Sequence, residues 1–227
     1  MSNSVVLKIG GSALGDKSPD AEKVESFCSM IEALLDGSKD LKLGIVVGAG
    51  RVGGGYVDVA RTLGVNEFQL DGLAIDVTRL NAKLIARGIG MRGPIPTIVD
   101  EASKIMQEDR FVVMGGTTPG HTTNTVAALL AEDNLARLVN VTRVGGIFDK
   151  DPNKYDDAKK LPKMTPDELF QMAAKYDDRR ARNYFVFDLL AAKIIARSSV
   201  PTCIIGAEPS EVINACLGKK HSGTIVE

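Results

Sequence analysis

The sequence predicts an α/β fold with a mainly parallel central sheet. Two observations carry this reading. Short β-branched runs alternate with longer amphipathic ones, the pattern of strands that return through crossover helices. Three glycine-rich turns also follow directly on strand-like runs. At 227 residues, 44% of them hydrophobic, the chain can bury a full core. No internal repeat or low-complexity linker divides it, so residues 1–227 are read as one domain.

The elements follow in chain order. "VVLKI" is the first strand and "LGIVV" the second. Between them Ser18 is expected to cap a helix, with Pro19 at its first position and Asp20 and Glu22 in its first turn. Val24, Phe27, Ile31, Leu34 and Leu35 then recur at helical spacing until Gly37. "DGLAIDVTRLNAKLIARG" reads as a second long helix that opens at Asp71. "PTIV" and "FVVM" read as strands, "TVAALLAE" as a helix begun by Asn124, and "LVNVT" as another strand. Residues 148–169 replace apolar strands with charge and proline, and a connection of that length is usually functional or a lid. "TPDELFQMAAK" and "LLAAKIIARSS" are helices, and "TCII" is a further strand.

Charge excludes some functions. With 28 basic and 29 acidic residues the net charge is -1, so no bulk attraction to nucleic acid or membrane is expected. Any anionic ligand must be held locally. Cys28, Cys203 and Cys216 are odd in number and lack CxxC spacing, which suggests neither a disulfide framework nor a zinc site and fits a reduced, cytoplasmic setting. The opening "MSNSVVLKIGGSAL" carries too short an apolar run for a signal peptide, and no run approaches the roughly 20 residues that span a bilayer.

The three glycine-rich turns are "KIGGSAL", "VVGAGRVGGG" and "MGGTTPGHTTN". In an open parallel sheet the carboxyl ends of the strands form one rim, so such turns converge on a single crevice. Glycine admits a ligand close to the backbone, and amides at helix N-termini attract phosphate. The third turn is rich in threonine, whose hydroxyls bind phosphate and ribose oxygens without a charge that must itself be desolvated. A Walker A loop is absent, and no GxSxG elbow supports a hydrolase. "GAGRVG" does match the dinucleotide fingerprint, with Asp71 at a distance that suits a ribose. Yet that acid should end a strand, and here it opens a helical pattern.

Among charged side chains, Lys8 interrupts an apolar strand just before "GGS". It either snorkels from an edge strand or aims at a transferring phosphoryl group. Asp188 begins a helix as a cap, or it orients Mg²⁺ or a lysine. His121 lies in the threonine loop with His221 remote, so no metal pair is formed.

"KIGGSAL", "GGTTPGHTTNTVAALLAE", "NVTRVGGIFDKDP" and "FDLLAAKIIARSSVPTCII" closely resemble the amino acid kinase superfamily, and within it the archaeal-type uridylate (UMP) kinases. The similarity runs from about Val5 to the C-terminal "HSGTIVE". It implies a three-layer α/β/α sandwich, a cytoplasmic homohexamer built from dimers, and transfer of a phosphoryl group from ATP, with Mg²⁺, to UMP. The acceptor-binding part would be roughly residues 1–135 and the ATP-binding part roughly 136–227. By resemblance Lys8, Ile9, Gly10, Gly11, Ser12, Gly50 and Gly54 would hold the ATP phosphates, and Thr142, Phe148 and Asp151 the adenosine. Ala49, Arg51, Asp71, Thr117, Thr118, Pro119, Gly120, His121, Thr122 and Thr123 would hold UMP. Lys8 and Asp188 would be catalytic, Asp188 also helping to arrange the metal.

Three departures from the family pattern accompany this. The second turn is "GAG" where the family has three glycines, and the family's arginine four residues on falls on Gly54, with Arg51 as the nearby replacement. Asn124 and Gly145 stand where relatives carry Asp. Three alternatives remain open at this stage: a kinase of another phosphorylated acceptor, a dinucleotide-dependent oxidoreductase, or a non-catalytic nucleotide sensor.

Overall fold

Runs of Val, Ile and Leu too short for helices and apolar on both faces become parallel strands buried between helix layers. The computed structural model describes residues 3–176 and 187–227. Its main sheet has seven strands in the order β3-β2-β1-β4-β8-β9-β7. They are β1 (Ser4–Ile9), β2 (Lys42–Val47), β3 (Phe111–Met114), β4 (Arg137–Val141), β7 (Lys163–Met164), β8 (Thr202–Ile205) and β9 (Thr224–Val226). All neighbours are parallel except β8 and β9. A two-stranded antiparallel pair, β5 (Ile147–Phe148) and β6 (Lys160–Leu161), closes the base of the charged excursion.

Helices cover both faces. On one face α1 (Ala21–Gly37), α3 (Glu67–Gly88) and α8 (Pro209–Cys216) enclose Leu7, Ile45 and Val139 with Phe27, Ile31, Ile85 and Val212. On the other, α4 (Val99–Glu108), α5 (Thr123–Asp133), α6 (Pro166–Tyr176) and α7 (Leu189–Ser198) enclose Val6, Val46 and Leu138 with Met106, Val126, Leu130, Leu169 and Ile195. Alternation along each strand sorts side chains between the two cores. Each large aliphatic side chain so buried stabilises the fold by about 1.5–3 kcal/mol. The remaining helix, α2 (Gly50–Thr62), lies against α3.

Several expectations need correction. "PTIV" is not a strand: Ile98 is exposed, Val99 opens α4, and Glu101 accepts the Thr97 amide at 3.2 Å, fixing a helix entry instead. The first helix is capped by Asp20, whose carboxylate accepts from the Lys23 amide, and not by Ser18. The second long helix starts earlier than Asp71, because Asn66 caps it through the Gln69 amide. "GRVGGG" forms the start of α2 and not an extended turn. Helix α5 begins one residue before Asn124, with Thr122 as its cap.

Candidate active site

The centre of the sheet supplies the first charged group. Lys8 is the penultimate residue of β1, on the face of Val6 and beneath the α5 layer, flanked by Val46 of β2 and Asn140 of β4. Burial of its side chain pushes its ammonium down to about 8, and Asp188 partly offsets this by attraction. The snorkelling alternative requires an edge strand, whereas β1 is the third of seven.

Asp188 does two jobs. It caps α7 by accepting from the Ala191 amide at 2.9 Å. It also accepts from the hydroxyls of Thr122 and Thr125 at the start of α5. Thr122 in turn accepts from the amides of Asn124 and Thr125. One carboxylate thus ties two helix N-termini, whose positive dipole ends suit it, next to Lys8.

The two glycine turns touch backbone to backbone. A Cβ at Gly11 would lie 2.3 Å from the Gly50 amide nitrogen and 2.4 Å from the Gly48 carbonyl oxygen, and Gly50 itself has φ +64°. Only glycine meets both demands. The Gly10 amide donates to Val141 and the Gly48 amide to Ile9, fixing both turns to the rim of β1, β2 and β4.

Helix α3 then holds the second and third turns in place. Asn81 donates to the carbonyls of Gly48 at 2.9 Å and Ala49 at 3.4 Å. Thr78 accepts from the Gly116 amide at 2.6 Å, and Arg79 donates to the carbonyls of Gly116 and Thr117 at 3.1 Å each. Asp71 accepts from the Gly120 amide at 2.7 Å.

These contacts enclose a cavity of about 300 Å³ lined by Ala49, Asp71, Thr78, Gly116 and residues 120–123. Thr117, Thr118 and Pro119 belong to the same loop, where the Thr118 carbonyl accepts from the His121 amide. Ser12, Gly50, Arg51 and Gly54 line a neighbouring cavity of about 790 Å³ together with Arg143. Arg51 pairs with Asp16 at 3.3 Å and is not among the residues around Asp71. Thr142 and Ser12 share a third cavity of about 440 Å³. Phe148 and Asp151 stand apart from all three, on the β5–β6 excursion. The Lys160 ammonium lies 5.7 Å from the Phe148 ring centroid. Asp151 accepts from the Asn153 amide and side chain, which hold its carboxyl below the usual range.

The amino acid kinase family profile, described as "Amino acid kinase family", matches residues 3–206. The chain belongs to this family. Uridylate kinase from Thermoplasma volcanium is 38% identical over 229 residues, spanning 100% of this chain and 99% of that protein. Uridylate kinase from Methanocaldococcus jannaschii is 39% identical over 227 residues, spanning 98% and 99%. The crystal structure of uridylate kinase from Archaeoglobus fulgidus matches with a TM-score of 0.85 at 37% identity, covering 98% of this chain and 99% of that one. UMP kinase from Bacillus anthracis matches the fold at a TM-score of 0.80 and 19% identity, covering 99% and 96%.

Membership of the amino acid kinase family sets the dinucleotide reading aside, and the structure gives the local reason. "GAGRVG" does run from β2 into α2, but Asp71 sits inside α3 and not at the end of a second strand. The departures also acquire surroundings. Gly54 faces open space, so nothing nearby replaces an arginine there except the groups of its cavity, Arg51 and Arg143. The side-chain oxygen of Asn124 accepts from Asn140 at 3.4 Å, and the Gly145 amide donates to the Thr142 hydroxyl.

Sequence reasoning missed Thr78, Arg79, Asn81, Thr125 and Asn140. Thr78 and Asn81 are buried polar positions on a helix otherwise apolar inward. That interruption of the apolar stripe is the signal that could have found them.

Proposed function

We propose that the chain is a UMP kinase, transferring the γ-phosphoryl group of ATP to UMP to give ADP and UDP. The observation that carries this is the half-buried Lys8 ammonium at the point where the Gly10–Gly11 turn meets the Gly48–Gly50 turn, beside a cavity that offers Asp71 and a threonine loop. The shared name of the full-length relatives supports the same acceptor.

Lys8, Ile9, Gly10, Gly11, Ser12, Gly50 and Gly54 receive the ATP phosphates. Thr142, Phe148 and Asp151 receive adenosine, so donor recognition falls mainly in residues 136–227 and acceptor recognition in residues 1–135. Asp71 accepts a ribose hydroxyl of UMP, while Ala49 and residues 117–123 surround its base and phosphate, with the Thr122 and Thr123 end of the loop nearest the α5 N-terminus. Arg51 adds a guanidinium on the phosphate side. In the transfer, the bond from γ-phosphorus to the β-bridging oxygen breaks as a UMP phosphate oxygen forms the new one, and the bridging oxygen leaves with ADP. The acceptor is already ionised, so no general base is required. The protein aligns the two phosphates and neutralises charge that develops between them. Lys8 supplies that charge from a partly desolvated position where it counts for more than in water.

Mg²⁺ accompanies ATP. No group of three or more His, Cys, Asp and Glu side chains that could hold a metal occurs among the described residues, and both oxygens of Asp188 already accept hydrogen bonds. This donor set fits a cation coordinated mainly by substrate phosphates, with Asp188 acting on it from outside through Thr122 and Thr125. Bound there, it would offset phosphate charge. A cytoplasmic homohexamer acting in pyrimidine nucleotide synthesis completes the proposal. An ADP-release assay across UMP, CMP, dUMP, AMP and GMP tests it. UMP is expected to give the highest kcat/KM, and release with UMP no greater than without an acceptor overturns it.

A further inference from the structure

Asn140 is buried in β4, yet its side-chain oxygen has no hydrogen-bond partner. A buried carbonyl without a partner costs on the order of 1–3 kcal/mol, so each such group in a folded chain asks for a reason. Its neighbour across the strand pair is Lys8, paired in register in the parallel ladder between β1 and β4. Cross-strand partners project to the same face of a sheet, and both lie on the face that α5 covers, in the rows of Val6 and Leu138. The Lys8 ammonium, which carries three donors and no acceptor, makes no side-chain hydrogen bond among the described residues. Two complementary groups, one lacking an acceptor and the other a donor, therefore sit side by side at the inner wall of the site. The Asn140 amide nitrogen is committed elsewhere, donating to Asn124 at 3.4 Å in the first turn of α5, which leaves the oxygen as the end that is left over.

We propose that Asn140 is a positioning residue for phosphoryl transfer, its side-chain oxygen accepting one N–H of the Lys8 ammonium while phosphate oxygens take the others. Phosphates approach from the rim, where the Lys8 ammonium lies 3.8 Å from the place of a Gly10 Cβ and close to the Ser12 side of the turn. They engage the donors that point outward. The donor facing back into the sheet has Asn140 as its acceptor, and that third contact fixes the direction of the other two. The Asn124 contact orients the amide so that its oxygen faces the lysine. This inference rests on the assignment of Lys8 to the phosphoryl site.

The test compares Asn140→Leu, which keeps the branched side-chain skeleton and removes both the acceptor and the donor to Asn124, with Asn140→Asp, which keeps an acceptor and loses only that donor. Lys8→Ala serves as the control. In Asn140→Leu, kcat at saturating ATP and UMP is expected to fall about tenfold, with both KM values within about twofold of the parent. The melting temperature is expected not to fall, since the variant removes an unsatisfied polar group. Asn140→Asp is expected to keep kcat within about threefold. Full kcat in Asn140→Leu overturns the proposal. So does an equal loss in both variants, which would assign the effect to the Asn124 contact. If Asn140→Leu does not fold, the Asp variant decides: a loss of tenfold or more there overturns the proposal, and retained kcat supports it. Should Lys8→Ala keep its activity, the assignment of Lys8 itself fails, a result separate from either outcome at Asn140.

Discussion

Lys8 shows at one residue how stability is exchanged for function. Its folded value of about 8 lies below the ordinary 10.5, so the folded chain releases this proton before the unfolded chain does. Stability therefore rises with pH between about 8 and 10.5, and below 8 the charged form is carried at a cost of about 3 kcal/mol, at 1.36 kcal/mol for each pH unit. Lys8→Met is expected to raise the melting temperature at pH 7 while lowering kcat by about 10²-fold or more. Melting and turnover measured on the same preparation check this, and a fall in both would mean that the lysine is structural. In the parent, kcat/KM is expected to hold below pH 8 and decline above it, since this ratio reports the free enzyme. Lys8→Arg should carry whatever activity it retains to higher pH. Arg51 likewise trades little stability for its proposed role. Its pairing with Asp16 is exposed, 59% and 63% for the two side chains, and contributes little to stability. Arg51→Ala is expected to raise KM for UMP about tenfold, as for loss of a hydrogen bond to a charged group. The melting point should not move. A change confined to KM for ATP would reassign Arg51 to the donor.

Among the elements, α3 carries the most consequence for the site. Its Thr78, Arg79 and Asn81 side chains hold the backbone of two turns that come from different strands. Asn81→Leu leaves the Gly48 carbonyl without its donor, so a stability loss of about 1–3 kcal/mol is expected, together with raised KM values for both nucleotides. Denaturant titration and steady-state kinetics check the pair of effects, and lowered stability with unchanged KM would mean that the turn holds its shape unaided. This element also shows where sequence reading stops. The strands "VVLKI", "LGIVV", "FVVM", "LVNVT" and "TCII" were legible because strands buried on both faces are nearly continuous apolar runs. "PTIV" has the same composition, but Ile98 faces solvent and Glu101 draws the chain into a helix. Helix α2 was hidden by Gly53, Gly54 and Gly55, each intrinsically about 1 kcal/mol worse than alanine in a helix. Packing against α3 overrides that propensity. The convergence of three glycine turns was legible from sheet topology alone. The polar groups of α3 that hold them were not, since a polar residue on a helix reads first as a solvated one.

At the scale of the molecule, α2 and α3 leave large apolar side chains in solvent: Tyr56, Val59, Leu63, Phe68 and Leu80 are all more than 60% exposed. Large exposed apolar side chains gathered on two packed helices mark an association face, in keeping with the proposed hexamer. Val59→Glu combined with Leu63→Glu is expected to lower the mass measured by light scattering to that of a smaller assembly. An unchanged mass would move the interface elsewhere on the surface.

Strand order also sets a timetable. The strand that bears Lys8 has β2 on one side, made about forty residues later, and β4 on the other, which is not complete until Val141. At roughly 5–20 residues per second of synthesis, one edge of β1 waits about 7–26 s for its partner. An open edge of Val and Ile is the kind that pairs with other chains. The nascent chain is thus most vulnerable to aggregation midway through translation, before the site can exist, and slower initiation or chaperone cover in that interval should improve yield more than any change to the finished surface.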